Sequence, residues 1–279
     1  MGSMKRTATI LFSIGMIAMG VLSVVSGDFA YTWQPVPAFH PGREALAVVC
    51  GIFMIATSVA LLVRSTSAIA ARALFPFLVA WFCLKIPALI VAPQIEGVWL
   101  GTGELGMLLA GGWMLFASCS RLENTQFFSR ISGPTGIRIS QILFGLSVIP
   151  VGLGHIFYAD ITARLVPSWM PFRLSLAYLT GVGQIGCGLA IIFSVFPRAA
   201  AMVETVMLAL FAFLVWGPDT WFASTPKMMG SPSGPRFPLT AFLITWVIGA
   251  AALLIAASYS SQGERSGIAA GKSAASNLA

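Results

Sequence analysis

Eight apolar stretches, each long enough to cross a lipid bilayer, constrain this chain more than any other feature. They fall at about 8–26, 45–63, 69–92, 103–119, 138–157, 174–195, 199–217 and 239–258. A spanning helix needs about 20 mostly apolar residues, and in hydrocarbon only a helix satisfies its backbone hydrogen bonds within a single segment. The composition agrees: 57% of residues are hydrophobic and 9% charged, outside the range of soluble domains. The expected fold is an all-α polytopic membrane protein.

The spans repeat. Ile10-Leu11-Phe12 opens a run that passes Gly20, Asp28 and Pro35; Ile142-Leu143-Phe144, offset by 132, opens one that passes Gly152, Asp160 and Pro167. Gly51 matches Gly183 at the same offset. A fixed offset through several elements marks a duplicated architecture. The expected organisation is a first four-helix repeat over 1–120, a polar hinge over 121–137, a second repeat over 138–258 and a disordered tail over 259–279. An even number of spans per unit gives both halves the same topology, related by an axis along the membrane normal.

Ten basic residues (Lys5, Arg6, Arg64, Arg72, Arg121, Arg130, Arg138, Arg198, Arg265 and Lys272) fall on the side of the N-terminus, against six (Arg43, Lys85, Arg164, Arg173, Lys227 and Arg236) opposite. This places both termini in the cytoplasm. The net charge of +7 therefore reflects membrane topology. No basic stripe interleaved with aromatics is present, which sets nucleic acid aside. Lys5-Arg6 followed by an apolar run imitates a signal peptide. Its counterpart at 138–157 is internal, so the first span is expected to be retained.

Cys50, Cys83, Cys119 and Cys187 stand singly in the spans with no C-x-x-C pair, as small packing residues do. His40 and His155 are the only histidines. No metal site, nucleotide motif or haem-attachment pattern is present, so no cofactor is evident.

Polar groups inside the bilayer cost several kcal/mol unless paired or functional. Gln184 lies mid-span, with Thr180 and Gly188 on its face; Glu204 lies nearer the cytoplasmic end of the seventh span. Lys85, Glu104 and His155 lie toward the outer ends of the third, fourth and fifth. At the offset of 132, Gln184 corresponds to Ile52, His155 to Ser23 and Glu204 to Arg72. Two readings of Arg72 and Glu204 follow: an ion pair locking the halves together, or a carboxyl that carries protons. Lys85 and Glu104 are read either as a mutual ion pair or, with His155, as an outer vestibule for a quinone ring or polar headgroup. In that vestibule His155 donates to a carbonyl, and Trp169 or Trp216 stacks.

The segment Gly154-His155, Leu165-Val166-Pro167-Ser168-Trp169-Met170-Pro171, Thr180-Gly181 and Pro197-Arg198-Ala199-Ala200 resembles the DoxX family, with its G-H helix end, VPxWxP loop, tG-x-x-E/Q helix and R-x-A opening. Trp81–Pro87 resembles the W-x-x-x-H-x-P stretch of DoxX-like proteins, with Lys85 where the family has histidine. Glu104 before Gly111-Gly112 resembles the opening of their fourth helix, whereas Trp33-Gln34-Pro35-Val36-Pro37 departs from the loop pattern. The resemblance covers most of both halves and implies two fused DoxX-like four-helix units. Such relatives include DoxD-type subunits of thiosulfate:quinone oxidoreductase and MauE-like maturation factors. It implies a plasma (inner) membrane protein of bacterial type that serves a quinone-linked redox system as a non-catalytic subunit or assembly factor, with a redox protein as partner. An enzyme acting on quinone or thiosulfate in an outer cleft, and a carrier of a small solute or lipid, are the alternatives. The paired prolines around Trp169 read as a rigid interfacial turn or as a lip over a ligand cleft.

Overall fold

The computed structural model describes residues 2–30, 33–37, 40–119, 130–218 and 236–276, with side chains to 259. Among them are α1 (Ser3–Ser26), α2 (Arg43–Leu62), α3 (Ser67–Cys83), α4 (Ile86–Val91), α5 (Glu96–Cys119), α6 (Gly133–Phe157), α7 (Ala159–Leu165), α8 (Arg173–Phe193), α9 (Pro197–Leu210) and α10 (Arg236–Ser276). A π-helical turn, Phe211–Trp216, continues α9. Among the described residues, eight helical segments are long and apolar enough to span a membrane. Their outer surface carries Val25, Ile69, Leu179, Phe193 and Val203 in the open, a face suited to lipid rather than water.

The helix ends follow local chemistry. Gly27 closes α1 in the left-handed region (φ 58°), its N–H donating to Ser23 O, a conformation glycine adopts at no steric cost. The third span, expected unbroken over 69–92, divides at Leu84–Lys85 into α3 and α4. Pro87 is the cause: it lacks an N–H, and its ring opposes the helical carbonyl one turn earlier. Residues 121–129 of the expected hinge lie outside the described residues, as do Arg121 and Lys227 of the orientation count; α6 begins at Gly133. The backbone of α10 runs as helix to Ser276, past the expected end of the last span at 258.

The spans close a ring of neighbours in which α5 and α10 also touch each other and so divide it in two. On one side, α1, α2 and α3 complete a lobe; on the other, α6, α8 and α9 complete a second. The two sequence halves interlock. α5 packs chiefly on α6, and α10 on α1, so each fourth span closes on the first span of the other half. Gly111 and Ala251 meet where α5 and α10 touch.

Glycines set the tightest helix contacts. A Cβ added at Gly20 would stand 2.6 Å from Gly51 O, and one at Gly152 would stand 2.6 Å from Gly181 O. Ile55 flanks the first contact as Ile185 flanks the second. Backbones this close are how membrane helices gain van der Waals energy where lipid offers no hydrophobic drive. The contacts also set the register. Gly20 to Gly152 is 132 residues, but Gly51 to Gly181 and Ile55 to Ile185 are 130. The connection between the first two spans is thus two residues shorter in the second half. Gly51 corresponds to Gly181 rather than Gly183, Gln184 to Met54 rather than Ile52, and Glu204 to Leu74 rather than Arg72. Burial agrees: Met54, Leu74, Gln184 and Glu204 are all inside, whereas Ile52 is 54% exposed and Arg72 is exposed.

The end of the first lobe remote from the N-terminus is closed by the connection after α1. Phe29 and Trp33 are buried in it, and Phe29 meets Trp81 edge-on with centroids 5.5 Å apart. Asp28 latches this segment, pairing with Arg43 at 2.5 Å and Arg236 of α10 at 2.8 Å. Arg236 also donates to Phe29 O at 2.8 Å, and Arg43 to Val36 O. Burial pushes the Asp28 carboxyl up, but hydrogen bonds from Arg236, the Phe29 N–H and Arg43 outweigh it and hold the group below its ordinary 3.8. A carboxyl so lowered stabilises the fold above its unfolded value, and that contribution is lost as pH falls through the folded value. Asp28→Asn should therefore cost about 1 kcal/mol at pH 7, the scale of a partly exposed pair. Melting temperatures of both proteins between pH 7 and pH 3 check this, since the difference should shrink below about pH 4.

Candidate functional site

The second lobe holds a cavity of about 590 Å³, within the range of small-molecule sites. α6, α8, α9 with its π-helical turn, and α10 form its walls, and α5 contributes Leu100 and Glu104. α7 and the turn Val166-Pro167-Met170 roof it. The walls are mostly aliphatic, and no lysine or arginine is among the lining residues.

The polar groups are few and positioned. His155 enters from the last turn of α6, its ring 5.2 Å from that of Phe211. The π-helical turn places Phe211, Leu214, Val215 and Trp216 along the cavity, where regular α-helical spacing would turn part of this run away. Such turns recur at functional sites. His155 Nδ1 lies 2.9 Å from Thr180 Oγ1, which is itself 2.9 Å from Leu176 O and 3.0 Å from Ala177 O. One turn further along α8, Gln184 Nε2 donates to Glu204 Oε1 of α9 at 3.2 Å. Both residues are 0% exposed. Gln184 Oε1 and Glu204 Oε2 are left with no hydrogen-bond partner. Buried unpartnered oxygens are uncommon and here sit in and behind a cavity wall.

Of the residues singled out in the sequence, His155, Gln184, Glu104 and Trp216 line one cavity. Glu204 stands behind Gln184. Trp169 does not join them: it is 72% exposed, while its neighbours Val166, Pro167 and Met170 face the cavity. Lys85 lies outside the lining, with Nζ beside Gly101 one turn before Glu104, whose charge it feels. Arg72 is exposed while Glu204 is wholly buried against Gln184, so the lock between halves is not formed.

Sequence reasoning missed Phe211, Tyr158 and Glu96. Tyr158 Oη accepts from Gly97 N at 3.1 Å, and Glu96 has both carboxyl oxygens buried without a partner beside Gly154. Glu96 opens a helix seven residues before the expected start at 103, so it read as loop rather than as an acid in the bundle. The four cysteines are unbridged, and no cluster of three metal-binding side chains occurs among the described residues.

A family model described as a domain of unknown function (DUF8561) matches residues 144–251, a segment that begins in α6 and ends in α10. No curated protein and no solved structure matches the chain.

Proposed function

We propose that this chain is a multi-pass membrane subunit, built as a tandem pair of DoxX-like four-helix units, that holds a neutral membrane-soluble ligand of the quinone class for a redox partner. The observation that carries the reading is the asymmetry of two lobes built on matching helix contacts. The first lobe buries Phe29 and Trp33 at its end, whereas the second has an open cavity with placed polar groups. A protein that needed only packing would have filled both, since an apolar void forfeits dispersion contacts.

The lining favours a neutral ligand over an anion such as thiosulfate. Glu104 lines the cavity, Glu204 stands behind its wall, and the lining has no cation. Aliphatic walls suit a prenylated or alkylated ring, and Trp216 and Phe211 offer aromatic faces. The DoxX-like resemblance supports a plasma membrane of bacterial type, and the excess of basic residues on the side of the N-terminus supports both termini in the cytoplasm; on that reading the cavity faces the outer leaflet.

Ala241 lines the cavity, and Ala241→Phe would fill it much as Phe29 fills the first lobe. Wild-type protein purified in mild detergent should carry about one quinone-class molecule per chain, read by solvent extraction and mass spectrometry. The variant should retain its melting temperature and lose at least ~90% of that content. Equal ligand content in both proteins sinks the assignment of the site.

A further inference from the structure

Resting on that reading, we infer that the cavity selects ligands whose polar head donates hydrogen bonds, a phenol or alcohol such as a quinol, and discriminates against the carbonyl head of the oxidised quinone.

The few protons on these groups can each be placed. Thr180 has one hydroxyl hydrogen, and two backbone carbonyls lie at 2.9 Å and 3.0 Å from its oxygen. A carbonyl can only accept, so the threonine proton is committed to the helix backbone. The 2.9 Å contact with His155 is then made by a proton on Nδ1, donated to Thr180 Oγ1. A neutral imidazole carries one proton. With Nδ1 bearing it, Nε2 presents a lone pair and accepts. This reverses the role given to His155 in the vestibule reading, where it donated to a quinone carbonyl.

Gln184 repeats the arrangement one turn along α8. Its amide N–H is spent on Glu204 Oε1, which leaves the carbonyl Oε1 unpartnered. With Glu204 Oε1 carrying no proton, reversing the amide would set two acceptor oxygens against each other, so Glu204 orients it. Thr180 and Glu204 thus act as positioning residues, and each turns its neighbour's acceptor outward. Each hydroxyl proton a ligand brings satisfies one of the two acceptors, and a ligand that brings only carbonyl oxygens leaves both unpaired. Sites built to pair a polar group reject analogues lacking it far more strongly than apolar pockets reject a change of size.

The test uses a redox-inert pair, 4-heptylphenol and its methyl ether 4-heptylanisole, with a short-chain benzoquinol and benzoquinone measured anaerobically. All four are titrated calorimetrically into the full-length protein in nanodiscs. Wild type should bind the phenol and the quinol at least ~10-fold more tightly than the ether and the quinone. Thr180→Val frees the imidazole to take either tautomer, so the preference should fall to within ~3-fold while phenol binding persists. His155→Phe keeps the ring against Phe211 and should abolish most of the preference. Equal or tighter binding of the ether and the quinone by wild type overturns the inference and leaves the ligand-holding function standing. Failure of all four to bind overturns that function and the inference with it.

Discussion

Gly152→Val is expected to unfold the second lobe, or to lower stability by about 3 kcal/mol or more, the upper range for overpacking. The Cβ alone would stand 2.6 Å from Gly181 O, with Ile185 Cγ1 at 2.9 Å and Gln184 Cβ at 3.0 Å. The nearest of these is main chain, so no rotamer change relieves the clash, and α6 and α8 must separate. Separation would displace His155 from Thr180 and open the cavity wall. Gly186 lies on the same helix with nothing within 4 Å of an added Cβ, so Gly186→Val should remain folded. Thermal unfolding followed by size-exclusion chromatography distinguishes the two. A Gly152→Val protein that melts with wild type would mean that the α6–α8 contact is looser than described.

The second large effect lies in the buried polar pair. Gln184→Met leaves Glu204 wholly buried with no partner, and stranding a buried hydrogen-bonding group costs about 1–3 kcal/mol, more where the group is charged. The first lobe shows the repair. Its equivalent positions are Met54 and Leu74, 2% and 1% exposed, an apolar pair of similar shape. The double variant Gln184→Met with Glu204→Leu should therefore regain wild-type stability or exceed it, since replacing both partners of a buried hydrogen bond by apolar groups of similar shape is close to neutral or stabilising. It should also lose phenol and quinol binding. Melting temperature and titration on the same samples read both. A double variant as unstable as the single one would show that the pair is structural and would remove Gln184 from the ligand site.

Much of the helical organisation was legible in the sequence, because hydrocarbon leaves a chain so few solutions. Each expected span overlaps an observed one, and the error lies at the ends: α5 begins at Glu96 rather than 103. Proline chemistry was visible at Pro87, yet the apolar run through Leu84 masked the break it causes. The offset of 132 was correct for α1 and α6 and wrong for the next pair of spans. An ungapped comparison cannot see a connection that is two residues shorter, so Glu204 was aligned with Arg72 rather than Leu74. Mid-membrane polarity still identified Gln184, Glu204 and His155, since that signal depends on cost rather than alignment. Their partners were less visible. Thr180 reads as an ordinary helical threonine until His155 is placed against it, and nothing in Phe211–Trp216 announces a π-helical turn. That Trp169 would point away from the cavity its own turn roofs depends on packing beyond any local pattern.

The ligand-holding role rests on the contrast between a packed first lobe and an open second lobe. A cryo-EM map of the full-length chain in nanodiscs, drawn from membranes that contain its native lipids, tests it most directly. Non-protein density is expected in the cavity of about 590 Å³, with its polar end within hydrogen-bonding distance of His155 Nε2, and side chains alone in the first lobe. A second lobe closed by its own side chains, or a ligand lodged beside Trp33 instead, would contradict it.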